Sequence, residues 1–140
     1  MNSQLQNLCG PGKSLTAEKP DQREFMGLKE SGLKRLKDAS LEQLSIESRF
    51  DLAYNAAHSL SLAALRWHGY RPANRYIVFQ VLPHTLQAGP EVWRVLAKSH
   101  DVRNLGEYEG YLNVDERLVM DLIIATRIVA DKIVELPPPS

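Results

Sequence analysis

Cysteine is almost absent from this chain: Cys9 is the only one in 140 residues. An intrachain disulfide is impossible, and a cysteine-rich zinc site is excluded with it. An excess of either charge is missing too, since 17 Lys and Arg balance 17 Asp and Glu for a formal net charge of zero. Gripping nucleic acid by bulk electrostatics needs a cation for each phosphate neutralised, so the composition disfavours that class but leaves room for a local basic site. Long hydrophobic runs are also lacking. The richest stretch, "LVMDLIIATRIVADKIV", is broken by Asp121, Arg127, Asp131 and Lys132. It falls short of the roughly 18 unbroken apolar residues of a membrane span. The opening "MNSQLQNLCG" has neither the basic segment nor the apolar run of a secretory signal. These absences lead to the expectation of a cytoplasmic protein with no membrane association.

Metal-ligand spacing is likewise missing. His58, His68, His84 and His100 include no pair at the i, i+4 distance that lets two imidazoles share an ion on one helix face. No Glu-x-x-His repeat of the di-iron type occurs. Neither a metal nor a cofactor is expected. The stretch "GPGKS" imitates a phosphate-binding loop, but the position that should hold its first glycine is Asn7, and no apolar strand precedes it.

What is present is a composition with 44% hydrophobic and 24% charged residues, enough for one globular domain. Residues 1–20 are polar and punctuated by Gly10, Pro11, Gly12 and Pro20, which reads as a loose arm. A single domain over 21–136 and a Pro-rich tail over 137–140 complete the division. Leu28, Leu33 and Leu36 mark a helix from Phe25 to about Ala39, weakened by Gly27 and Gly32. Ser45, with Ser48 near the start as an alternative cap, opens a second helix whose apolar face runs Phe50, Ala53, Ala57, Leu60 and Ala64, and which Gly69 stops. "PANRYIVFQVLPHTL" has β propensity but no second strand-like run to pair with, so Ala73 to about Leu82 is expected as helix, ended or kinked at Pro83. Pro90 opens the next helix, which weakens at Gly106 and ends by Gly110. Asn113, with Glu116 three residues on, is expected to cap the last one. Its face of Leu118, Leu122, Ala125, Val129 and Ile133 is widened by Val119, Ile123, Ile124 and Ile128. The expected fold class is all-α, an up-and-down bundle of four or five helices.

One stretch is chemically dense. In "DVRNLGEYEGY", Arg103 and Glu107 are i, i+4 neighbours, a spacing that by itself makes only a surface ion pair. His100 precedes Arg103 by one turn, and Asn104 and Tyr108 are one turn apart. An arginine can clamp a phosphate through two parallel hydrogen bonds, an amide can order it, and a phenol can donate beside it. His58, on the alanine-rich second helix, reads as a satisfied core or interface histidine. Trp67 and Trp93 read as packing rather than a base-stacking platform.

Three segments together resemble a known family. "ESRFDLAYNAAHSLSLAALRWHGYRP", residues 47–72, resembles the second helix of bacterial HEPN-domain proteins, and "VFQVLPHTL", 78–86, the segment that follows it. "RNLGEYEG", 103–110, is similar to their Arg-polar-x(4–6)-His region in a branch carrying tyrosine and an acidic residue in place of histidine. The resemblance spans roughly residues 25–135. It implies a HEPN-like bundle that homodimerises with its Arg-bearing helices together. Many members are metal-independent ribonucleases, often toxins restrained by a small nucleotidyltransferase antitoxin, while others bind nucleotides or RNA without cutting. By position, Arg103 would hold the phosphate and Asn104 would order the site. The expected histidine is replaced by Tyr108, and an unperturbed phenol, with a pKa near 10, is a poor base at neutral pH. His100 is a substitute one turn away.

The leading expectation is a protein that binds a nucleotide or RNA phosphate at a dimer interface, in a toxin–antitoxin-type module. Its ligand-binding set is Arg103, Asn104, Glu107 and Tyr111, with Arg103, Asn104, Tyr108 and His100 as the candidate catalytic group. The alternatives are a metal-independent ribonuclease toxin and a non-catalytic dimeric scaffold.

Overall fold

The computed structural model describes residues 3–139; Met1 and Asn2, which begin the expected arm, and Ser140, which ends the tail, lie outside the described residues. In chain order the elements are α1 (Ser3–Asn7), β1 (Leu15–Ala17), α2 (Gln22–Ala39), α3 (Ile46–Trp67), β2 (Tyr70–Pro72), α4 (Ile77–Gln80), α5 (Leu82–Thr85), α6 (Pro90–Glu109) and α7 (Glu116–Glu135). Four long helices therefore form the bundle that the apolar periodicities predict. No helix among the described residues is long and apolar enough to cross a membrane.

Contacts at the helix ends fix the chain directions. Arg49, at the start of α3, donates to the Ala39 carbonyl at the end of α2, while Arg66, at the other end, meets Glu24 at the start of α2. Helices α2 and α3 are thus antiparallel. Arg49 also reaches Glu116 at the start of α7, and the Trp67 indole N–H donates to the Pro137 carbonyl beyond its end, so α3 and α7 run parallel. The core between them is made by Phe50, Ala53, Ala57, Leu60 and Ala64 of α3 with Leu122, Val129 and Ile133 of α7, all essentially inaccessible.

Side chains at the helix starts satisfy backbone N–H groups that have no partner inside the helix. Asp21 accepts from Glu24 N–H, and Ser45 accepts from Ser48 N–H as expected. The last helix departs from expectation. Asp115, not Asn113, caps α7, accepting from Leu118 N–H at 2.8 Å. The chain remains extended to Asp115, and a carboxylate at that point also meets the positive end of the helix dipole.

Two further expectations are corrected. Residues 73–82 are not one helix: Ala73–Tyr76 form a bend, followed by the single turns α4 and α5. Pro83 falls in the first turn of α5, where its missing N–H costs no hydrogen bond, so it opens a turn rather than closing one. The described part of the arm, moreover, is not loose. Leu5 and Leu15 are fully buried, and β1 pairs antiparallel with β2, with Thr16 opposite Arg71. These three-residue strands are too short to show an alternating pattern, which is why no pairing partner is legible from the residues alone.

Arg66 fastens the arm. Its guanidinium is buried, with Nε on Glu24 at 2.6 Å, Nη1 on the Glu18 and Tyr70 carbonyls, and Nη2 on the Lys19 carbonyl at 2.7 Å. Arg71 pairs with Glu18 and Glu24 outside it. Burial alone would raise the Glu24 carboxyl, but hydrogen bonds from Arg66 and Arg71 outweigh it and hold the group below the usual carboxylate range.

Candidate functional site

Helix α6 carries the chemically dense stretch and ends where Gly110 turns left-handed at φ 84°, its N–H bonded to the Gly106 carbonyl. A side chain on Gly106 would strike Leu112 at 2.8 Å, so the bare backbone there lets the following turn fold back across the helix. Upstream, Val92, Leu96 and Ser99 are buried, and His100 continues that inward face.

His100 is the hub. Its Nε2 lies 2.9 Å from the Asn104 amide nitrogen and its Nδ1 lies 2.9 Å from the Tyr54 hydroxyl. With the amide donating to Nε2, the ring proton belongs on Nδ1 and is donated to Tyr54. Burial lowers the His100 pKa; Asp101 opposes the shift, while Arg103 and Arg75 reinforce it. The imidazole is therefore neutral at pH 7. Tyr76 and Phe79, from the segment after β2, complete an aromatic wall, with the Tyr76 ring centre 5.1 Å from that of His100.

Arg103 lies over the Tyr54 ring at 5.1 Å and pairs with Glu107 at 2.9 Å. Its side chain is 24% exposed, so the guanidinium is held on an aromatic floor yet still reaches solvent. Asp51, one turn before Tyr54, has a carboxyl raised by burial, with Arg103 acting in the opposite sense. Tyr54 itself is raised by burial against the lowering influence of the Arg75 and Arg103 guanidiniums.

Of the residues expected from sequence, His100, Arg103, Asn104 and Glu107 come together on one face of α6. The two tyrosines do not join them. Tyr108 is 90% exposed and makes no hydrogen bond or ring contact to the described residues. Tyr111 lies past the helix end in a separate recess of about 150 Å³ with Leu105, Gly106 and Glu109, on the far side of α6. Asp51, Arg75 and Tyr76 join the site without any signal in their own local sequence pattern, and Tyr54 with a slight one, while His58 is expected only in the core or an interface. Burial, then Arg75, His100 and Arg103, lower the His58 pKa to about 4. One local signal was available: Tyr54 and His58 are polar groups one turn apart beside the apolar face of α3.

Chemically, the site offers two guanidiniums around one phenol, two imidazoles kept neutral, and an amide locked onto one of them. Among the described residues no three His, Cys, Asp or Glu side chains gather as a metal site would require. No family model, no curated protein and no solved structure matches the chain.

Proposed function

We propose that this chain is a HEPN-like helical protein that binds the phosphate of a nucleotide or RNA through Arg103 and Asn104, as a homodimer within a toxin–antitoxin-type module. The observation that carries the reading is the setting of Arg103: a half-buried guanidinium over the Tyr54 ring, one residue from an amide fixed by His100. An arginine so placed presents a pre-oriented fork to a phosphate, and little side-chain freedom is lost on binding. The asparagine holds the hub, and the imidazole holds Tyr54 beneath the cation.

The second reading is cleavage. A neutral imidazole has the protonation state a general base requires, and His100 is neutral. Its Nε2 is covered by Asn104, so the amide would have to swing aside first. Tyr108 stands too far into solvent to share the step.

Binding of nucleotides and RNA, with cleavage measured in chelator, tests both readings. For the binding reading, Arg103→Ala weakens binding at unchanged melting temperature and neither protein cuts RNA. Cleavage by the parent alone establishes the second reading. A folded, dimeric parent that binds no phosphate compound refutes both.

A further inference from the structure

We propose that Arg75, rather than Arg103, is the primary phosphate anchor of this site. The inference rests on the binding reading above and adds a residue from outside α6.

The two arginines differ in what already holds them. Arg103 is neutralised by Glu107 at 2.9 Å, with Asp51 nearby. Arg75 is exposed and makes no ion pair with any described residue. An incoming phosphate must compete with a carboxylate for Arg103, but meets no such competitor at Arg75. A solvated charge with no carboxylate partner also forms the first contact in steered association.

Position supports the assignment. Arg75 lies in the bend between β2 and α4, a segment fixed on both sides. The Asn74 side chain accepts from Ile77 N–H at 3.1 Å, and the Tyr76 ring packs against His100 at 5.1 Å. The Arg75 guanidinium lies beside the Tyr54 hydroxyl, while Arg103 covers the face of the same ring. One phosphate at the mouth between α3, α6 and this bend therefore meets Arg75 first and Arg103 second, once Glu107 is displaced. The positive field that both arginines exert on His58 is the field an anion would relieve. Every group in this arrangement comes from a single chain.

Calorimetric titration of the intact protein with inorganic phosphate, adenosine 5′-monophosphate and a short single-stranded RNA tests the proposal. The series compares the parent with Arg75→Ala, Arg75→Lys and Arg103→Ala, each checked by melting temperature. Loss of one charge-assisted contact predicts at least a roughly tenfold weaker affinity in Arg75→Ala, a partial recovery in Arg75→Lys, and a smaller loss in Arg103→Ala. The monophosphate and RNA arms show which source of phosphate the anchor prefers. Proton titration of His58 by NMR gives an independent readout. Phosphate raises its pKa in the parent, and Arg75→Ala raises it without ligand and removes the response. Arg75→Ala binding like the parent while Arg103→Ala fails overturns the anchor and leaves the binding reading intact. No binding of any of the three compounds by the parent overturns both.

Discussion

His58 and His100 each place a ring 6.2 Å from Phe79, one at the side of α3 and the other on α6. Neither imidazole is charged at pH 7, for the same reason: burial penalises the cation, and Arg75 and Arg103 add repulsion. This has a consequence for stability. Between 6.5 and about 4 the unfolded chain takes up a proton that folded His58 refuses, so the unfolded state is favoured as pH falls through that window. Each pKa unit corresponds to about 1.4 kcal/mol, and His58 is partly exposed, so its contribution is on the order of 2 kcal/mol. Urea denaturation at pH 7, 5.5 and 4.5 should show stability declining over this range. The decline should be shallower in His58→Gln. Equal slopes in both proteins would show that the imidazole is freely protonated in the fold.

At the scale of elements, the closest packing is between α2 and α3, and glycine permits it. A Cβ on Gly32 would stand 2.6 Å from Leu60 Cγ and 3.3 Å from the Ala56 carbonyl oxygen, whereas one on Gly27 would meet nothing within 4 Å. By sequence alone both are weak points of the helix, since glycine costs about 1 kcal/mol relative to alanine in a helix interior. Their tertiary roles are opposite. Gly27→Ala should stabilise by about 0.5–1 kcal/mol, while Gly32→Ala should destabilise by about 1–3 kcal/mol through overpacking. Chemical denaturation of the two variants settles the matter, and equal effects of either sign would refute the close approach. Helix α7 repeats the lesson. Its apolar residues exceed one stripe: Val119 and Ile123 of the widened face are buried, whereas Ile124 is 50% exposed, one turn from the exposed Met120.

For the whole molecule, the decisive contact is between the described arm and the bundle. Arg66 joins α3 to the start of α2, to the chain after β1 and to β2 through hydrogen bonds made by a single buried guanidinium. Removing it leaves the Glu18, Lys19 and Tyr70 carbonyls short of a donor and leaves Glu24, 30% exposed, with Arg71 alone. Each buried polar group left without its partner costs about 1–3 kcal/mol. Arg66→Ala should lower the melting temperature accordingly and expose the β1 amides to hydrogen exchange. Protection of those amides unchanged from the parent would mean that Leu5 and Leu15 hold the arm without the arginine.

The sequence by itself determined the elements that depend on neighbours three or four residues apart. The four long helices, the Ser45 cap, the Gly69 and Gly110 stops and the grouping of His100, Arg103, Asn104 and Glu107 all follow from the 3.6-residue period. Tertiary structure alone decided the rest. Leu5 and Leu15 lie in a segment whose composition is that of a loop, and only the groove beside β2 makes their burial favourable. Tyr54, Arg75 and His100 come from three separate stretches, and no local pattern encodes their meeting. The helix periodicity could place Tyr108 and Tyr111 near the arginine along the chain, but not say which way they face. That depended on which side of α6 the bundle covers, and this is a property of packing.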